Sequence, residues 1–172
     1  SFSGKEGGVG GEIEDDPARY EVDWDKVLDI DKFLEHAVTY DGRAWSSYPA
    51  NTIVYCPGDV NISGNDTFQC CVIAEGDIKM TGSTTLLQPG TYPALVSLTG
   101  SVKLGGTASA TGLVAALAGT VTNSGTGDIT GCVISVGSFK ESGNWSIFFT
   151  DVEIRPPGTV TTDDLVEVVA WQ

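Results

Sequence analysis

Gly58-Asp59-Val60-Asn61-Ile62-Ser63-Gly64 is a seven-residue unit with glycine at both ends, and it returns four more times along the chain. The copies are Gly76-Asp77-Ile78-Lys79-Met80-Thr81-Gly82, Gly100-Ser101-Val102-Lys103-Leu104-Gly105-Gly106, Gly119-Thr120-Val121-Thr122-Asn123-Ser124-Gly125 and Gly137-Ser138-Phe139-Lys140-Glu141-Ser142-Gly143. Their first glycines lie 18, 24, 19 and 18 residues apart (76−58, 100−76, 119−100, 137−119). A unit that recurs near one fixed period marks a solenoid, in which a coil buries its inward face only by stacking on its neighbours.

Aligned on the first glycine, the residues two positions later are Val60, Ile78, Val102, Val121 and Phe139. Ten positions later stand Phe68, Leu86, Ala110, Ile129 and Ile147, and four positions earlier Val54, Val72, Val96, Ala115 and Val133. Three apolar columns predict three walls around one interior. Asn61, Lys79, Lys103, Thr122 and Lys140 form a polar column beside the first of them, the alternation a half-buried strand requires. The predicted fold is therefore all-β, a parallel β-helix of about five coils over residues 51–155. Unequal coil lengths favour the right-handed form, and the longer second coil places residues 88–93 in a corner loop. In the last two coils the column four after the glycine changes from Ile62, Met80 and Leu104 to Asn123 and Glu141, so that wall is expected to open or to be hydrogen-bonded there.

Solenoid ends expose strand edges and call for caps. Residues 1–22, glycine-rich and then acidic at Glu12, Glu14, Asp15 and Asp16, read as a flexible arm. Residues 23–172 read as one domain. Within it Trp24, Val27, Leu28, Phe33, Leu34 and Ala37 recur at helical spacing and predict a helix over residues 23–38, capped by Asp23 and laid over one open end. Residues 159–172, beyond Pro156-Pro157-Gly158, are expected to form a final strand along or over the other end.

Composition excludes several functions. A net charge of −14 with only nine Lys and Arg opposes nucleic acid and anionic membranes as partners. The four cysteines match neither a redox motif nor zinc-ligand pairs, and a single histidine, His36, makes a Cys/His metal site less favoured still. No metal or cofactor is expected. The cysteines read as small buried side chains or as a disulfide; a disulfide would involve Cys56 with Cys70 or Cys71, because Cys71 and Cys132 share a column three coils, about 14 Å, apart. Asp23, Asp25, Asp29 and Asp31 lack the glycine and closing glutamate of a calcium loop and read as a solvated helix face.

Four residues stand out as ligand-binding candidates. Asp59 and Asp77 fall in one exposed column on adjacent coils, where paired carboxylates attract a cation, although ion pairing with Lys79 and Lys103 is the expected use. Tyr92 and Trp145, with Phe148 and Phe149, offer a stacking platform for a sugar, although core or cap contacts are the expected use of Phe148 and Phe149. No nucleophile motif or phosphate loop accompanies them, so no catalytic residue is assigned.

Asp29-Ile30-Asp31-Lys32-Phe33-Leu34, then Ile53-Val54-Tyr55 leading into the first repeat, and the closing Val166-Glu167-Val168-Val169-Ala170-Trp171 resemble the PilX-like group of type IV pilus accessory proteins. The resemblance covers about residues 25–172. It implies an extracellular or cell-surface, non-enzymatic structural or adhesive module, an accessory (minor) pilin or a pilus-associated protein. Its implied partners are other pilus or surface proteins, or further copies through the solenoid ends, and it would meet a membrane only through an N-terminal hydrophobic helix that this sequence lacks. Two alternatives are a β-helical polysaccharide-active or carbohydrate-binding protein and a bactofilin-like cytoskeletal scaffold.

Overall fold

Successive side chains of a strand point to opposite faces, so in each glycine-bounded unit two apolar residues turn inward while the residue between them turns out. The computed structural model describes residues 28–159, and there the fold is a parallel β-solenoid. A short helix, α1 (Ile30–Leu34), precedes the first strand, β1 (Val38–Thr39), and a 3-10 turn at Trp45–Ser47 follows it. One coil then runs through β2 (Ile53–Cys56), β3 (Val60–Ile62) and β4 (Thr67–Phe68). The next runs through β5 (Cys71–Ala74), β6 (Ile78–Met80) and β7 (Thr85–Leu86). It is followed by β8 (Leu95–Ser97), β9 (Val102–Leu104) and the long β10 (Ser109–Ala116). The last coils contribute β11 (Val121–Asn123), β12 (Ile129–Ser135), β13 (Phe139–Glu141) and β14 (Ile147–Phe149).

Two of the three apolar columns stack as the repeat predicts. Val60, Ile78, Val102, Val121 and Phe139 are in register from rung to rung. So are Phe68, Leu86, Ala110, Ile129 and Ile147. The third column is corrected: Val54 and Val72 are followed by Leu95 and Val114, not by Val96 and Ala115, before Val133. Two coils carry one extra residue between this wall and the next glycine unit, which shifts the inward position by one. Leu95 and Val114 join the central core, while Val96 and Ala115 belong to a second apolar layer.

That second layer also corrects the N-terminal boundary. Among the described residues the helix is α1 alone; Asp29 caps it by accepting the Lys32 N–H, and Val38 already belongs to β1, paired with Val54. Backbone pairing with β2 gives residues 38 and 39 partners that a helix continuing to Val38 would forfeit. The expected Asp23 cap and residues 23–27 lie outside the described residues, as do residues 1–22 and 160–172. Strand β1 adds a rung below the five predicted coils, making six with β2, β5, β8, β10 and β12, so the coils start at residue 38 and not at 51.

Helix α1 packs on the side of the solenoid and not over its end. Phe33 is fully buried in the outer layer with Ile53, Cys71, Ile73, Val96, Leu113 and Ala115. The end itself is filled by aromatics. Tyr40 stacks on Trp45 at 4.6 Å, and Trp45 meets Phe68, the first member of an interior column, at 5.9 Å. Asp41 and Arg43 pair beside this cluster, and the Tyr48 hydroxyl donates to Asp41 at 3.0 Å. The Arg43 partnership holds the Asp41 carboxyl well below the usual range.

From the second coil onward the repeating glycines are demanded by rung spacing. Gly82 has φ +83°, and a Cβ there would overlap the carbonyl oxygen of Gly64 one rung away. A Cβ at Gly76 would overlap the Asp59 carboxylate. In the changed fourth-coil position, Asn123 is fully buried and its amide donates to the Gly127 carbonyl at 3.1 Å, so this side chain closes the wall by hydrogen bonding.

Candidate functional site

The two aspartates that suggested a cation site are part of the lattice. Asp59 accepts the backbone N–H of Asp77 at 2.8 Å, and Asp77 accepts that of Ser101 at 2.7 Å. Ser101 continues the series by accepting the Thr120 N–H at 3.1 Å. Each side chain reaches one rung onward, across the space left by a glycine, to a backbone donor at a corner where the regular ladder is interrupted. The expected ion pairs do not form: neither Asp59 nor Asp77 lies in salt-bridge contact with Lys79 or Lys103, and the described salt bridges are Lys32–Asp29, Arg43–Asp41 and Arg155–Glu153. Lys79 and Lys103 instead face solvent in register with each other.

A second corner repeats the device. The Asp128 N–H donates to Ser109 Oγ at 3.3 Å, and Asp128 accepts the Ser146 N–H at 3.1 Å. Inside the solenoid, buried Ser97 donates to the Gly76 carbonyl at 2.8 Å and accepts the Gly100 N–H at 3.1 Å. Among the described residues no buried side-chain nitrogen or oxygen lacks a partner.

Tyr92 and Trp145 are placed far apart in role. Tyr92, in the corner loop, is half-buried and meets Phe33 edge-on at 6.1 Å, so it holds α1 against the outer layer. Trp145 meets Phe139 edge-on at 5.4 Å at the C-terminal end of the coils. Phe148 and Phe149 are 54% and 76% exposed, which rules out the buried core as their site.

Of the two readings of the cysteines the structure has the unbridged one: all four are free, and Cys56, Cys70 and Cys71 are buried. Cys56 pairs in register with Ala74, three positions along from Cys71, or about 10 Å at strand rise, beyond disulfide reach. Cys70, just before β5, faces the central core with Cys56, whereas Cys71 faces the outer layer. Burial pushes the Cys56 thiol up to about 11 and Cys70 to about 12, and it raises Cys71 well above its ordinary value. Cys132, expected in the core, is partly exposed, with its thiol directed at the Thr150 carbonyl.

Compared with known proteins, the chain matches no family model, no curated protein and no solved structure.

Two concave surfaces stand out among the described residues. The larger, about 510 Å³, is the C-terminal mouth of the solenoid, lined by Phe139, Ser142, Gly143, Trp145, Ile147 and Phe149. The smaller, about 320 Å³, is an apolar side groove lined by Leu28, Leu113, Cys132, Ile134, Val152 and Ile154. Sequence reasoning treated Phe139 and Ile147 as core columns and missed the mouth. The available signal was that both residues are the last of their columns, with no later repeat to cover them. Among the described residues no His, Cys, Asp and Glu group is arranged to hold a metal, and no helix is long and apolar enough to cross a membrane.

Proposed function

We propose that this chain is a non-enzymatic structural or adhesive module displayed at the cell surface, of the kind accessory pilins supply, and that it works by holding a rigid polar surface. The observation that carries the reading is the use made of Asp59 and Asp77, the best candidates for chemistry: each carboxylate is engaged with a backbone N–H of the following rung. A general acid or base needs a carboxyl free to approach substrate and a perturbing neighbour to tune it. Here the acids tie coils together, as Ser101 does in the same column, which favours stiffness over turnover.

The experiment combines localisation with loss of the gene in the source organism. Tagged full-length protein is expected outside the cytoplasm, and deletion is expected to change pilus number or pilus-dependent attachment. Strictly cytoplasmic protein together with normal surface filaments in the deletion strain would reject the proposal and favour an internal scaffold filament.

A further inference from the structure

The asparagines of the chain are Asn51, Asn61, Asn65, Asn123 and Asn144. Three of them begin an Asn-x-Ser/Thr triplet, the acceptor sequence for a sugar linked to the asparagine amide: Asn61-Ile62-Ser63, Asn65-Asp66-Thr67 and Asn144-Trp145-Ser146. The fold separates these three. Asn61 lies within β3, paired with Lys79 of β6, and Ile62 beside it is buried, so the ladder holds that triplet extended against the core. Asn65 and Asn144 lie outside the strands, and each is exposed together with the hydroxyl residue two places on, Thr67 and Ser146.

Asn65 and Asn144 hold the same place in the repeat. Each directly follows the closing glycine of a unit, Gly64 or Gly143, where Ser83, Thr107 and Thr126 stand in the three units between. The turn itself does not call for asparagine. Its left-handed residue is the glycine, at φ +119° in Gly64 and +115° in Gly143, and among the described residues Asn51 is the one non-glycine with positive φ. Serine and threonine serve the same turn in the middle units, where the Thr107 hydroxyl reaches Ser83 Oγ at 2.9 Å.

Asparagine thus enters this turn only in the first and last units. There the turn joins strands that have a neighbour on one side only: β3 to β4 at Asn65, and β13 to β14 at Asn144. Free edges are the places where a sheet protein has to be shielded from pairing with other chains. A chain of several sugars is broader than the strand spacing of about 4.8 Å, so one fixed beside an edge obstructs a further strand.

We propose that Asn65 and Asn144 are N-glycosylation sites, loaded by a membrane-bound transferase with an oligosaccharide from a polyprenyl phosphate or diphosphate carrier. The side-chain amide nitrogen forms a bond to the anomeric carbon of the first sugar, and the bond from that carbon to the carrier's phosphate oxygen breaks. The carrier leaves as its phosphate or diphosphate anion, and the displaced amide proton passes to a base of the transferase. The step is a group transfer with no change of oxidation state. It rests on the surface-display reading, because acceptor chain and lipid-linked sugar meet on the far side of the membrane from the cytoplasm. The two sugars stand four strand spacings apart along the solenoid, about 19 Å, and flank the edge strands β3, β4, β13 and β14.

The test uses tagged full-length protein from the source organism, separated into surface and cytoplasmic fractions. Intact mass and fragmentation of proteolytic peptides locate any attached sugar. Surface protein is expected to carry sugar at both Asn65 and Asn144. Asn65→Gln and Asn144→Gln are each expected to remove the mass of one glycan. Thr67→Val and Ser146→Ala, which change exposed side chains and keep the asparagine, are expected to remove the same mass, whereas Ser146→Thr retains it. Surface protein without sugar, or with sugar at only one of the two positions, would overturn the proposal and leave surface display standing. Sugar-free protein confined to the cytoplasm would overturn both. Sugar retained in Thr67→Val or Ser146→Ala would assign the attachment to a different chemistry and also overturn it. If a variant does not fold, peptide mapping of the unaltered chain decides.

Discussion

The Asp59 carboxylate accepts the Asp77 backbone N–H at 2.8 Å, so a side chain of one rung completes the hydrogen bonding of the next. Asp77 does the same for Ser101 at 2.7 Å. Removing the acceptor in Asp77→Ala is expected to cost roughly 1 kcal/mol in urea unfolding, the net worth of one such bond. Asp77→Ser should recover much of the loss, because Ser101 performs this role one rung later. Calcium should leave the unfolding midpoint of the unaltered protein where it is. A calcium-dependent rise that disappears in Asp77→Ala would return the pair to the role of a cation site.

The inward and outward positions of the central wall make opposite demands on charge. Val102 is fully buried between Ile78 and Val121, whereas Lys103 beside it is exposed. Val102→Asp buries a carboxylate with no partner, a cost of several kcal/mol that exceeds the margin of a typical domain. It is expected to abolish folding. Lys103→Asp is expected to stay within about 0.5 kcal/mol, as surface changes do. Equal thermal midpoints for the two variants would show the register to be wrong.

Glycines at the two ends of one repeat should differ in tolerance. Gly82→Ala places a Cβ against the Gly64 carbonyl at φ +83°, and is expected to destabilise by about 2 kcal/mol or more. Gly58 has no neighbour within 4 Å of an added Cβ and no positive φ, so Gly58→Ala is expected to change stability by less than about 0.5 kcal/mol. Denaturant titration of the two variants measures the contrast.

The repeat made the coils and two interior columns legible because glycine spacing and alternation act locally, one rung at a time. The third column misled because its wall is apolar on both faces in the middle coils. Leu95 and Val96, like Val114 and Ala115, are all buried, so hydrophobicity alone carries no register there. The same outer layer displaced α1 from the end to the side: Phe33 needed an apolar surface, and Ile53, Ile73 and Val96 supply one that a half-buried strand pattern does not announce. The role of Asp59 and Asp77 was hidden for a different reason. A side chain that bonds to a backbone N–H leaves no trace in residue type beyond the Asp, Ser and Thr preference of the column, which ion pairing explains equally well.

The last expectation concerns the thiols, whose protonation separates a buried free cysteine from a disulfide. The thiolate is the species that alkylating agents attack, and burial keeps Cys56 and Cys70 neutral up to about 11 and about 12, with Cys71 also raised. Native protein treated with iodoacetamide near pH 8 without reductant is therefore expected to be modified at Cys132 alone, which is partly exposed, and at all four cysteines once unfolded. A mass deficit showing Cys56 joined to Cys71 would contradict the register of β2 and β5. The same burial sets a pH dependence. The unfolded thiols titrate near 8.5, so the folded state holds its protons more tightly, and the stability this confers is complete below about pH 8.5. It is lost as pH rises through about 11 and about 12, the folded values of Cys56 and Cys70. The urea midpoint should accordingly fall across that alkaline range. Replacing both residues, Cys56→Ala with Cys70→Ala, should lower stability at neutral pH through lost packing while making its alkaline decline shallower. An equally steep decline in the double variant would assign it to other groups, Tyr48 and Tyr55 first, whose hydroxyls burial also raises.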